Sequence, residues 1–134
     1  MPIVARCNSI NLGTLKMRHE EDDIQAAFFE WVRLAQHKRK SLAQMFHPAN
    51  GGKRDAREAA RLKRQGVIPG VPDVMFPVPN AKFYGLAIEF KSKSGKVSES
   101  QAIYMQGLID NGWSVHVCRD SRAAIEVVKF YIGN

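Results

Sequence analysis

The sequence predicts an α/β domain in which a mixed central sheet carries helices on its faces. Three observations lead there. Gly66 to Lys93 reads as two strands about a tight turn, an antiparallel hairpin. A helical stretch and then an alternating stretch, Trp113 to Cys118, follow it, so the later strand rejoins the sheet by a right-handed crossover. Amphipathic helical periods lie before the hairpin and after that strand.

The elements follow in order. Residues 1–18 show no clean period. Ile10, Leu12 and Leu15 suit a short arm that packs on the body or on a second copy, and a flexible terminus is the alternative. The division is therefore an arm over 1–18, flexible or dimer-forming, and a single domain over 19–134. Glu20 to His37 reads as a helix, because Ile24, Ala27, Phe28, Trp31 and Leu34 or Ala35 recur at spacings of three and four. Glu20 to Asp23 are placed in its first turn, where acids suit the helix dipole. His37 to Lys40 close it with cations. Ser41 to His47 is a candidate first strand with Leu42, Met45 and Phe46 as its apolar content. Pro48 to Gly52 is a loop. His47 and Asn50 are read as loop residues near DNA rather than ligands.

Lys53 to Gln65 reads as a second helix, with Ala56, Ala59, Ala60 and Leu62 inward and Gly66 as its cap. After the hairpin, Ser98 to Asn111 is a helix with Ile103, Tyr104, Leu108 and Ile109 as candidate core. Ser98 and Gln101 have capping-box spacing. In the next strand Trp113, Val115 and Val117 share one face and His116 takes the wetter one. Asp120 then starts a last helix, with Ala124, Ile125, Val128 and Ile132 inward.

At 134 residues the chain is one domain with room for a core. No run of apolar residues reaches transmembrane length, and the basic N-terminus lacks the apolar stretch of a signal peptide. Cys7 and Cys118 form neither a disulfide framework nor a ligand spacing, which suits a reducing, cytoplasmic setting. The charge is uneven. Arg33 to Arg64 holds ten Lys and Arg against Asp55 and Glu58, a local +8 of the total +7, so the rest sums to −1. Such a block reads as the footprint of a polyanion or as a solvated face. Lys53, Arg54, Arg57, Arg61, Lys63 and Arg64 on the second helix, with Lys93 and Lys96 after the hairpin, are the candidate DNA contacts.

Folded about Asn80 and Ala81, the hairpin sets Asp73 roughly opposite Ile88 and Glu89. Glu89 and Lys91 share one face; Ile88 and Phe90 take the other. A one-residue slip moves Asp73 to either face, so the register stays open at this point. If the carboxylates meet, they repel unless a cation lies between them, and a hard divalent ion with oxygen ligands answers that need. Each residue alone has a plainer account: Asp73 as a turn residue, Glu89 with Lys91 as a surface pair.

V-P-D at 71–73 followed by E-F-K at 89–91 resembles the signature of the PD-(D/E)xK nucleases. The longer string P-G-V-P-D, with G-G-K-R before it and S-x-x-Q after it, is similar to the VRR-NUC branch, in its stand-alone, virus-type form. The resemblance runs from Glu20 to Ile132. It implies a restriction-endonuclease-like core and a metal held by Asp73, Glu89, the Phe90 carbonyl and a first-helix glutamate. Glu21 is the choice for that glutamate, with Glu20 its competitor. Lys91 would orient water or offset charge, and Gln101 would work near the scissile phosphate. Mg²⁺ is the expected ion, with Mn²⁺ able to substitute. Branched DNA, a four-way Holliday junction above all, is the implied substrate, and a homodimer the implied form. A phage or mobile-element source fits that type. Two alternatives stand beside this reading: a non-catalytic nucleic-acid-binding module on the same fold, and a sequence-specific restriction-type nuclease.

Overall fold

The computed structural model describes residues 2–49 and 55–133, with side chains from His19 onward. Helix α1 spans Pro2–Ala35 and a short 3₁₀ helix spans Lys40–Gln44. They are followed by α2 (Ala56–Arg64), β1 (Val74–Phe76), β2 (Leu86–Phe90), α3 (Glu99–Asp110), β3 (Ser114–Cys118) and α4 (Ser121–Ile132). The three strands form one sheet in the order β1-β2-β3. β1 pairs antiparallel with β2, and β2 pairs parallel with β3. The mixed sheet is thus the one the hairpin and the crossover predicted.

The two faces of the sheet differ. Val74, Phe76, Leu86, Ile88, Phe90 and Cys118 lie in one continuous core with Phe28 and Val32 of α1, and with Ala124, Val128 and Tyr131 of α4. Leu42 and Met45 close it from the 3₁₀ helix. Phe28 packs edge-on to Phe90 at 5.5 Å between ring centroids. The opposite face carries Ala87, Glu89 and Lys91 and meets α3, whose one buried residue is Met105.

Local signals explain the connections. Asn80 builds the hairpin turn: its Oδ1 accepts from the N–H groups of Lys82 and Phe83, each at 2.8 Å. Its Nδ2 donates to the Tyr131 carbonyl and ties the turn to α4. Ser98 and Gln101 form the expected capping box on α3, and Asp120 caps α4. Arg39 donates to the Ile132 carbonyl at 2.6 Å, so a cation from the end of α1 serves the C-terminus of α4.

Several sequence expectations change. α1 begins at Pro2 rather than Glu20 and runs through the 18/19 boundary without a break. Glu20 to Asp23 therefore sit mid-helix and do not serve its dipole. Val32 takes the buried place given to Ala27, and Leu34 is exposed while Ala35 packs. Ser41 to His47 is not a strand. Leu42 and Met45 are three apart on a 3₁₀ turn, which sets both on one side, and only Phe46 bridges to β1. α2 buries nothing; Ala56, Ala59 and Ala60 are exposed and Leu62 is half-buried. In α3 Ile103 and Ile109 are exposed. In β3 the faces are reversed: Val117 is exposed, whereas His116 is half-buried. The parallel register explains this, since it pairs His116 with core-facing Ile88 and Val117 with Glu89. Lys53, Arg54, Asn50 and the 50–52 part of the loop lie outside the described residues, as do the side chains of Cys7, Ile10, Leu12 and Leu15.

Candidate active site

The register pairs Val74 with Ile88, so Asp73 falls opposite Glu89 on the same face. The slip left open by the sequence does not occur. One step further along, Phe90 stands opposite Pro72, which has no N–H to offer the Phe90 carbonyl. The Phe90 N–H turns to the Asp73 side chain instead, donating to Oδ2 at 2.8 Å. The proline before β1 thereby leaves the Asp73 carboxylate and the Phe90 carbonyl at one place.

Glu89 is buried, and its Oε2 has two cationic or donor neighbours. Gln101 Nε2 donates to it at 3.0 Å, and Lys91 Nζ lies 3.6 Å away. Gln101 reaches this point while its Oε1 accepts from the Ser98 N–H at 2.9 Å. The capping box thus fixes the rotamer that presents the amide to Glu89. Close seating of α3 makes this possible. Gly70 has φ +85°, and a Cβ there would fall 2.4 Å from the Ser100 carbonyl oxygen. The segment leading to Asp73 and the first turn of α3 therefore touch main chain to main chain.

The electrostatics are unbalanced. Burial, then the charge of Asp73, push the Glu89 carboxyl up to about 8; Lys91 opposes this, and Glu21 adds to it. Burial also raises Asp73, against the pull of the Phe90 N–H and of His47 and Lys91. The charge of Asp73 thus disfavours ionisation of Glu89, which stands opposite it in the register. In charge terms the site lacks a cation.

Glu21 is the half-buried one of the two candidate glutamates; Glu20 is exposed. Its Oε1 accepts from the Ser92 N–H at 3.3 Å, just beyond Lys91. Among the described residues no three Asp, Glu, His or Cys side chains converge as a metal cage. Glu21 therefore borders the pair without joining it.

The sequence did not single out Arg119. Its Nη1 donates to the Ser92 carbonyl at 2.6 Å and to the Gly95 carbonyl at 2.8 Å. The parallel pairing delivers it there, since the Lys91 N–H bonds the Cys118 carbonyl one residue earlier. Arg119 thus holds the loop that carries Lys93 and Lys96, both exposed, and that contacts Glu21. No local pattern flags such a residue; only the strand pairing does. His47, set aside as a loop residue, has its Nδ1 2.7 Å from the Asp73 carbonyl oxygen.

Of the basic candidates on α2, Arg57, Arg61, Lys63 and Arg64 are exposed, and Arg61 pairs with Glu58 at 2.7 Å. A cavity of about 910 Å³ opens at the other end of the sheet, between the hairpin turn and α4, with Phe83, Phe130 and His116 on its wall. It contains none of the candidate site residues. A phosphodiester within a polymer needs an open face rather than an enclosing cavity.

A family model, the VRR-NUC domain, matches residues 11–121. The chain belongs to the VRR-NUC family. A solved structure described as a VRR_NUC domain protein superposes with a TM-score of 0.72 at 25% identity, over 85% of this chain and 88% of the other. No curated protein matches. VRR-NUC domains are nuclease domains, so the Asp73 and Glu89 pair lies on a nuclease fold. Among the described residues, no helix is long and apolar enough to cross a membrane.

Proposed function

We propose that this VRR-NUC domain is a metal-dependent endodeoxyribonuclease that cuts branched DNA, a four-way junction above all, as a homodimer. The observation that carries the reading is the pairing of half-buried Asp73 with buried Glu89, two carboxylates against the single ammonium of Lys91, with Gln101 bonded to Glu89. All the donors at hand are oxygens, and that set fits Mg²⁺, with Mn²⁺ as its substitute. Asp73, Glu89 and the Phe90 carbonyl would hold the ion, with Glu21 contributing through water. Such an ion would supply a Lewis acid for the phosphate and lower the pKa of bound water.

The side chains divide the remaining work. Lys91, nearly buried, keeps its ammonium beside Glu89 and offsets charge that grows on the phosphate oxygens. Gln101 fixes the Glu89 carboxylate in one orientation. Lys93, Lys96 and the exposed cations of α2 engage neighbouring phosphates, together with Lys53 and Arg54. A two-fold dimer would bring two such sites to a junction, which needs two symmetric cuts. The N-terminal stretch of α1 and the apolar parts of the hairpin are the candidate contacts between copies.

The test is cleavage of end-labelled four-way junction, flap, nicked and linear duplex DNA with Mg²⁺, Mn²⁺ or EDTA. Metal-dependent cutting that is lost in Asp73→Ala and in Lys91→Ala is the expected result, with paired nicks on the junction. Salt-sensitive binding without cutting in any metal would leave a binding module instead. Cutting at one sequence in linear duplex would favour the restriction-type alternative.

A further inference from the structure

β1 is short, and among the described residues no strand neighbours its outer edge in the sheet. Outward-facing main-chain groups on such an edge need other partners. Met75 finds them in Phe46: its N–H donates to the Phe46 carbonyl at 2.9 Å, and its carbonyl accepts from the Phe46 N–H at 3.0 Å. The next outward-facing group toward the site is the Asp73 carbonyl, two residues back. There the partner is a side chain, His47, whose Nδ1 stands 2.7 Å away. A carbonyl oxygen only accepts, so Nδ1 carries the proton and donates.

We propose that His47 is a positioning residue of the candidate active site, replacing the missing strand at Asp73 and thereby aiming the Asp73 carboxylate at Glu89. This rests on the nuclease reading for its catalytic consequence but not for its geometry. Asp73 lies just outside the ladder, since β1 begins at Val74. Its main chain is gripped on the outer side by His47, and its carboxylate on the inner side by the Phe90 N–H. Release of the outer grip lets the residue swing about the peptide unit that bears its carboxylate. The same segment leads on through Pro48 to the basic stretch and α2.

The experiment compares wild type with His47→Ala, His47→Gln and His47→Asn. An asparagine amide nitrogen occupies the place of Nδ1 and donates without a charge; a glutamine amide lies nearer Nε2. Two readouts are taken. In Mg²⁺ on the cleaved DNA, His47→Ala and His47→Gln should lower kcat by about 10–100-fold with KM little changed, and His47→Asn should recover most of it. In ¹H–¹⁵N spectra of the metal-free protein, the Phe90 amide should move in His47→Ala and return in His47→Asn, because that amide bonds the Asp73 carboxylate. Wild-type kinetics in His47→Ala, an unmoved Phe90 amide, or an His47→Asn variant as slow as His47→Ala would each overturn the proposal. A wild type that cuts no DNA would overturn the nuclease reading alone, and the amide would still decide the role of His47.

Discussion

One face of the sheet is dry and closed, and the other is polar and half open. On the first, Phe28, Ile88, Phe90 and Val128 are fully buried among apolar neighbours. On the second, Glu89 and Lys91 are almost as buried, yet Val117 beside Glu89 is exposed. The same strand, β2, supplies both sets in alternation. One face contributes apolar burial and the other stores unfavourable charge, so the first must stabilise what the second costs.

The largest effect is expected from a cavity on the dry face. Phe28→Ala should cost about 3–5 kcal/mol of stability, read by chemical denaturation, because it empties the contact with Phe90. The polar face should respond in the opposite sense. Asp73→Asn should lower DNA cleavage by about a hundredfold or more, yet raise the metal-free Tm by a few degrees, since it relieves Glu89 of its closest like charge. A fall in Tm would mean that the Phe90 N–H bond to Asp73 outweighs the repulsion.

Titration separates the faces further. The Glu89 carboxyl moves from an ordinary 4.5 up to about 8 on folding, so the folded state favours its protonated form. That stability is fully present below the unfolded value and is lost as pH rises through about 8. Thermal melts in EDTA should therefore show Tm falling as pH rises from about 4.5 to about 8 and levelling above that, with a smaller slope in Glu89→Gln. Saturating Mg²⁺ should flatten the wild-type slope. The smallest effect belongs to Ser98→Ala. Loss of the cap should cost about 1 kcal/mol, with a few-fold fall in cleavage because Gln101 loses part of its support.

These contrasts bear on what the sequence could reveal. Signals within a few residues were legible: the Asn80 turn, the Ser98 and Gln101 box, the Asp120 cap. The alternation of β2 also told which of its residues face the site. What failed needed the third dimension. The Leu42 and Met45 spacing fits a strand edge poorly and a 3₁₀ turn well, but an isolated pair does not decide between them. Val117 looked like core because it alternates with apolar partners, yet its face is the site face, which α3 covers only in part. Ile103 and Ile109 misled for the same reason. Of the site, the Asp73, Glu89 and Lys91 set was readable as a pattern. Arg119 and His47 were not, since each acts by reaching a main-chain carbonyl far away in sequence.

Gln101 uses one end of its amide to start α3 and the other to hold Glu89. One side chain thus ties the start of α3 to the seating of the Glu89 carboxylate. A drifting sequence cannot exchange the residue for a better helix starter and keep the carboxylate in place, nor retune the carboxylate and keep the helix. Glutamate would start the helix equally well but set a third negative charge against the pair. A different side chain at position 89 would thus call first for a different way of beginning α3.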